Sequence, residues 1–292
     1  MALPAEFAEF VRQNVPLAPF TVLKLGGPAE YLAQPRNRAE LAALVRYCTA
    51  ERVPLRVLGG GGHVIISDEG VRGVVLRLAA PEFTTVEVQG QIVRAGAGAA
   101  LSAVISQAAR YELTGLESLV GILGEFGGAI RCNVGDRTAS LGQFVRSVEV
   151  LTAQGEYLHR QRDELQFGVH CSNIDDPVIV AGELQLEKDS ALAIVKRMRK
   201  AWIQRKATQP YSFQASCRLF KNPRGESATQ LIDQVGLSRS TVGGVELSER
   251  NGNYIVVHPG ATSRDALRLI ELIQSRVREV TGVELEREVI IW

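Results

Sequence analysis

VLGGGGHVIISDEGVRGVV, residues 57–75, sets four consecutive glycines between two apolar runs. PLRVL at 54–58 predicts a short strand entering the run, and the apolar stretch beyond it predicts a second strand. Gly59, Gly60, Gly61 and Gly62 can take positive φ and let backbone N–H groups converge on a phosphate. No Gly-Lys-Ser/Thr follows, so the run is not a nucleotide P-loop, and it does not open a long helix as GxGxxG does. Taken alone, it fits a bare turn between strands as well as a phosphate cradle.

Upstream, TVLKLGGPAEYLAQP predicts a turn at Gly26–Gly27 and a strand ending near Pro35. Residues 37–53 follow helical spacing, with Leu41, Leu44, Val45 and Cys48 on one face and Asn37 as the cap. Downstream, two strands from residue 85 lead into a helix over 100–110. GLESLVGILGEFGGAIRCNVGDRT, 115–138, is glycine-dense yet too apolar for a free loop. It predicts buried backbone close to a large flat ligand, or a tight crossover in the core.

A hairpin is expected over 145–165, turning at Gln154–Gly155, then a strand over 177–189 and a basic helix over 189–206 that carries KRMRK. FQASCRLFKNP, 213–223, ends a strand, and a short helix follows over 227–237. The cleanest helix is 262–282: Leu267, Ile270, Ile273 and Val277 share a face, Thr262 or Ser263 caps it and Gly282 stops it. VELEREVIIW closes the chain as a strand. The pattern is that of a multi-domain α+β protein with glycine-rich, ligand-facing loops.

The 292 residues suffice for a substantial core in two or three domains. With 33 basic and 32 acidic side chains the net charge is +1, so no global field steers the chain to nucleic acid or anionic lipid. No secretory signal and no membrane span is expected. Cys48, Cys132, Cys171 and Cys217 are too dispersed for a CxxC site, and free thiols in a reducing compartment are the expectation. The four histidines, His63, His159, His170 and His258, lack ligand spacing, so no metal is expected.

These segments, in this order, resemble the UDP-N-acetylenolpyruvoylglucosamine reductases, the flavoenzymes that complete the muramic acid unit of peptidoglycan. The resemblance runs from TVLKLGGPAEYL through VLGGGGHVIISDEGVRGVV and GLESLVGILGEFGGAIRCNVG to LFKNP, GLSRSTVGGVELSERNGNYIVV and LEREV. It implies a two-subdomain FAD-binding fold of the PCMH/vanillyl-alcohol-oxidase type, spanning 1–80 and 81–192. An α+β domain for the UDP-sugar, 193–292, would follow. It further implies FAD and NADPH as cofactors, a small-molecule UDP-sugar as partner, a cytoplasmic location and a monomer or dimer.

Carried over by position, the resemblance places FAD against Gly59, Gly60, Gly61, Gly62 and His63, where the family has GGGSN. It also places FAD against Gly121, Gly127, Asn133 and Gly135. Leu123 stands where the family has proline. Arg205, Lys206, Lys221 and Asn222 would meet the UDP-sugar, and Thr208 falls where the family carries a lysine.

The implied catalytic positions are His170, Cys217, Arg218 and Glu288. His170 replaces an arginine that the family directs at the substrate carboxylate, and it lacks that group's bidentate fork. Cys217 and Arg218 replace the glycine and the proton-donating serine before FKNP, whereas Glu288 is retained in LEREV. Three readings are open. A neighbouring thiol or hydroxyl, Cys217 or Ser216, supplies the proton. Arg218 takes over from the missing arginine, and solvent or Glu288 supplies the proton. Or the fold persists as a flavin- or nucleotide-sugar-binding relative without reductase turnover.

Overall fold

The computed structural model describes residues 3–135, 139–210 and 215–292. The chain divides into two compact units. One comprises Met1–Gln13, Tyr31–Gly60 and Arg72–Ile203; the other comprises Asn14–Glu30, Gly61–Val71 and Gln204–Trp292.

In the first unit the helix Arg38–Ala50 begins where its sequence says it should. Asn37 is extended, and its side chain accepts from Glu40 N at 3.0 Å, satisfying a donor that the first turn leaves open. Leu41, Leu44, Val45 and Cys48 are buried along one face. Burial pushes the Cys48 thiol up to about 11, so this cysteine packs and does not react. Within this unit the strand Leu55–Val57 pairs in parallel with Val74–Leu76.

A five-stranded antiparallel sheet runs in the order Tyr157–Gln161, Val145–Leu151, Val178–Gln185, Ile92–Gly96, Val86–Gln89. The hairpin turns through Gly155 at φ 77, as the Gln-Gly pair implies. The helix Leu101–Arg110 buries Leu101, Val104, Ile105 and Ala108. The glycine-dense segment forms something its composition conceals, a short helix at Phe126–Arg131. Phe126 N and Gly127 N donate to Ala99 O and Ala97 O at 2.8 and 2.7 Å. The small residues there let two backbones touch, which is the crossover reading of that segment.

The second unit is built on an antiparallel sheet in the order Ala215–Arg218, Asn251–Val257, Val245–Ser248, Thr241–Val242. The helix Ser263–Thr281 starts in a capping box between Thr262 and Asp265 and stops at Gly282, φ 75. Its buried face carries Ala266, Leu269, Ile270, Ile273 and Val277. Leu267 lies at the margin of that face and Leu269 takes the core position. Each large apolar side chain buried there contributes about 1.5–3 kcal/mol. With Leu23, Leu25 and Ile65 these residues close a core around Leu219, Phe220 and Ile255.

The chain end departs from the expected strand. Only Ile290–Ile291 is a strand, parallel to Val64–Ile65. The residues before it bond elsewhere: Lys221 N donates to Glu286 O at 2.9 Å and Glu288 N to Leu219 O at 2.7 Å. A segment that changes partner midway cannot keep one continuous ladder.

Candidate active site

The glycine run falls across the division between the units, and each part is held by its own unit. A Cβ on Gly60 would stand 3.0 Å from Gly124 Cα, and one on Gly59 would stand 3.3 Å from Glu125 Oε2. Gly61 has φ 64, and a Cβ there would meet Phe20 O and Thr21 Cα, both at 2.6 Å. Val22 N donates to Gly61 O at 3.1 Å, and Ile290 N to His63 O at 3.0 Å. The N–H groups of Gly59, Gly60, Gly61 and Gly62 find no hydrogen-bond partner among the described residues. Gly59 and Gly60 in the first unit, and Gly61 and Gly62 in the second, thus each leave two successive donors open.

Further along the first unit, Glu125 precedes the short helix and pairs with Arg77 at 3.6 Å. Burial outweighs that cation, and the carboxyl is pushed above its usual range. Gly121 turns at φ 85, and Gly127 lies against Ala97. A Cβ on Gly124 or Gly128 would meet nothing within 4 Å, so bare backbone faces open space there. A flat ligand can approach such a surface closely.

A cavity of about 310 Å³ opens beside this loop, lined by Asn133, Gly135, Arg162, Phe167 and His170 among others. Asn133 is buried, with φ 41, and both ends of its amide are engaged. Nδ2 donates to Gly168 O at 2.7 Å, and Oδ1 accepts from Gly142 N at 2.8 Å. It braces the cavity wall, and its backbone N–H donates to Ile130 O at 3.0 Å. Gly135 turns at φ 132 beside it. Residues Asp136, Arg137 and Thr138, the end of the glycine-dense stretch, lie outside the described residues.

His170 sits at φ 55 at the turn of the hairpin formed by Phe167–Gly168 and Cys171–Ser172. It is half-buried on the cavity wall. The reading of the sequence missed Arg162, whose guanidinium lies 5.6 Å over the Phe167 ring and donates to Leu165 O at 2.9 Å. It gives this wall a fixed cation. The signal was weak, because an arginine in QRDEL reads as a solvated charge.

In the second unit the strand Ala215–Arg218 alternates as its pleat demands. Cys217 turns into the core, while Ser216 and Arg218 face the other way. Burial pushes the Cys217 thiol up to about 12, with Glu288 adding to the shift. That is the packed thiol the sequence left open. Phe213 and Gln214, at the start of the same stretch, lie outside the described residues.

Arg218 Nε stands 3.1 Å from Glu288 Oε2, and the glutamate side chain is buried. The approach lacks hydrogen-bond alignment, so Oε2 is left without such a partner among the described residues. Lys221 Nζ pairs with Glu286 in a short contact. Asn222 Oδ1 accepts from Ala228 N at 3.1 Å and fixes the turn after FKNP.

Asn253, which the sequence did not single out, holds the strand's exit. Its Oδ1 accepts from Phe220 N at 2.9 Å and its Nδ2 donates to Phe220 O at 2.7 Å. Arg205 and Lys206 lie near the end of the helix Ala191–Thr208. Arg205 is close enough for its charge to be felt at Tyr254, and Lys206 O accepts from Arg250 Nη1. Thr208 turns its hydroxyl to Gln204 O at 3.1 Å. Among the described residues no group of three or more His, Cys, Asp or Glu side chains could hold a metal. No helix there is long and apolar enough to cross a membrane.

Comparison with known proteins matches two stretches of the chain. Residues 29–160 match the family described as FAD binding domain. Residues 209–292 match the UDP-N-acetylenolpyruvoylglucosamine reductase C-terminal domain. A reductase of that name from Trichlorobacter lovleyi is 38% identical over 275 residues, 94% of this chain and 90% of that protein. The Symbiobacterium thermophilum UDP-N-acetylenolpyruvoylglucosamine reductase 2 is 36% identical over 284 residues, 97% of this chain and 92% of that protein. The crystal structure of the Thermus caldophilus UDP-N-acetylenolpyruvylglucosamine reductase superposes with a TM-score of 0.84 at 36% identity. It covers 97% of this chain and 100% of that one.

Proposed function

The chain belongs to the UDP-N-acetylenolpyruvoylglucosamine reductase family of FAD-dependent oxidoreductases, and from that premise we propose that it uses NADPH to reduce UDP-N-acetylglucosamine enolpyruvate to UDP-N-acetylmuramate in the cytoplasm. The open N–H groups of 59–62 and the bare backbone at Gly124 and Gly128 suit a cofactor with a diphosphate and a flat ring system. In this reading Gly59, Gly60, Gly61, Gly62 and His63 hold the diphosphate. Gly121, Gly127, Asn133 and Gly135 line the rings through backbone. FAD, when bound, supplies two-electron chemistry, and the protein supplies placement and protons.

The observation that carries the substrate half is the fixed pairing of Arg218 with Glu288, held by Glu288 N on Leu219 O. It sets a guanidinium and a carboxylate side by side at the family's reacting positions. Arg218 there polarises the substrate carboxylate, a task that His170 meets with a single donor. Arg205, Lys206, Lys221 and Asn222 serve the UDP-sugar. By role, we assign 1–80 and 81–192 to FAD and 193–292 to the sugar nucleotide, in a monomer or dimer.

The test is the anaerobic visible spectrum of the FAD-loaded protein. NADPH is expected to bleach the flavin band, and the enolpyruvyl sugar to restore it. A band that the sugar leaves bleached points instead to a relative that binds its ligands without reductase turnover. The occupied Arg218–Glu288 site would then explain the loss.

A further inference from the structure

We propose that Tyr254 is the proton donor to the enolpyruvyl sugar in this chain; the proposal rests on the reductase reading above. Position 218 cannot supply the proton, because a guanidinium does not deprotonate in a protein. Cys217 is on the same strand but turned into the core. A hydroxyl that replaces the serine has to share the open face of the sheet with Arg218.

In the ladder of that strand with its neighbour, two hydroxyl-bearing residues meet that condition. In the ladder between Ala215–Arg218 and Asn251–Val257, Tyr254 lies directly opposite Arg218, and Ser216 lies opposite Val256. Directly opposed residues stand on one face with their Cβ atoms about 4.5–5.5 Å apart. Ser216 is a full pleat away, at roughly 6.6 Å along the strand. Of these two hydroxyl residues, Tyr254 is therefore the one set directly beside the altered position.

Its surroundings suit the task. The ring is half-buried, and the hydroxyl has no hydrogen-bond partner among the described residues. Among the described residues, Arg218, Glu288, Arg205 and the Cys217 thiol act on it most strongly after burial. Burial, the largest influence, raises the phenol above its ordinary range, so at neutral pH it holds its proton. A phenol is still a stronger acid than a serine hydroxyl. Arg218 and Arg205 both lower the cost of the phenolate that donation leaves behind.

The step balances. Hydride reaches C3 of the enolpyruvyl group, and the π pair is left on C2 next to the carboxylate. The Oη–H bond of Tyr254 breaks as the C2–H bond forms, and the phenolate recovers its proton from water. The substrate gains two electrons and the cofactor loses two.

Y254F tests this, since it removes one oxygen that bonds to nothing among the described residues. Turnover of the enolpyruvyl sugar is expected to fall about 10²–10⁴-fold. FAD content, bleaching by NADPH and binding of the sugar to oxidised protein are expected to stay as in wild type. A second readout needs neither cofactor nor turnover. The ultraviolet tyrosinate titration of the apoprotein, wild type minus Y254F, isolates Tyr254. R218M is expected to move that titration upward, and R205M to move it the same way. Wild-type turnover in Y254F overturns the proposal, as does a loss that follows S216A instead. A Tyr254 titration indifferent to both arginines overturns it too. A wild-type protein that accepts electrons from NADPH and never passes them to the sugar overturns the reductase reading itself, whatever Y254F does.

Discussion

Arg218 Nε lies 3.1 Å from Glu288 Oε2, joining a strand position to a chain-end position seventy residues later whose own backbone bonds to the neighbouring Leu219. The pair is lopsided: the glutamate side chain is 7% exposed and the arginine 26%. Removing the arginine strands a buried carboxylate, whereas removing the carboxylate leaves a cation that can still reach water.

R218M is therefore expected to cost more stability than E288Q. The loss should be on the order of 2–4 kcal/mol, below the ~3–5 of a fully buried pair because the arginine is partly wet. E288Q should cost ~1 kcal/mol, because the arginine it releases can still reach water. Urea midpoints at constant m decide the order, and equal small losses would show that the pair is solvated. E288Q is also expected to abolish turnover, and an unchanged rate would remove Glu288 from the machinery.

N253A should loosen the same site from behind. Asn253 is buried, and its amide pairs both polar groups of the Phe220 peptide. Truncation leaves that N–H and C=O unmet in the core, at about 1–3 kcal/mol for each group. The expected outcome is a lowered unfolding midpoint together with a raised KM for the sugar nucleotide. A variant as stable as wild type would mean that water replaces the amide.

The frame was legible where periodicity and caps coincide. Asn37, Thr262 and Gly282 mark helix ends in the sequence and in the structure for the same hydrogen-bonding reason. The helix Phe126–Arg131 was hidden, because FGGAIR has no propensity and exists through its backbone bonds to Ala97 and Ala99. The alternation of Ser216, Cys217 and Arg218 sorted a packed thiol from two outward residues. Pairings such as Arg218 with Glu288, or Asn253 with Phe220, are long-range, and no local pattern encodes them. Arg162 and Tyr254 went unseen for a related reason. What makes each notable is the neighbour opposite, not the residue itself.

The glycine run gives a contrast in one variant pair. G61A forces a left-handed φ of 64 on alanine and drives its Cβ into backbone at 2.6 Å. It should lose well over ~1 kcal/mol and weaken FAD retention. Gly128 is helical, with open space where its Cβ would go, so G128A should gain about 0.4–1 kcal/mol in the apoprotein. If the open space at Gly128 receives the flavin, G128A will still release FAD more readily than wild type. Thermal unfolding of the apoprotein, read beside FAD dissociation, separates the two effects.

Acid sensitivity should trace to Glu149, buried on the strand Val145–Leu151 with Arg38, Arg94 and His159 around it. Burial alone would raise this carboxyl. The Arg38 hydrogen bond and the charges of Arg38, His159 and Arg94 outweigh it, and the net direction is downward. A carboxyl depressed in the folded state contributes stability above its unfolded value of about 4.3 and loses it as pH falls through the folded value. Stability of the wild type should therefore drop on acidification below about pH 4.3. R38M removes the main depressing partner, at 3.1 Å from Oε2, and strips the cation from over the Tyr157 ring. The variant should be less stable at neutral pH and should show a shallower acid limb. Urea unfolding of both proteins between neutral pH and pH of about 3 measures this, and parallel limbs would move the acid-labile group elsewhere.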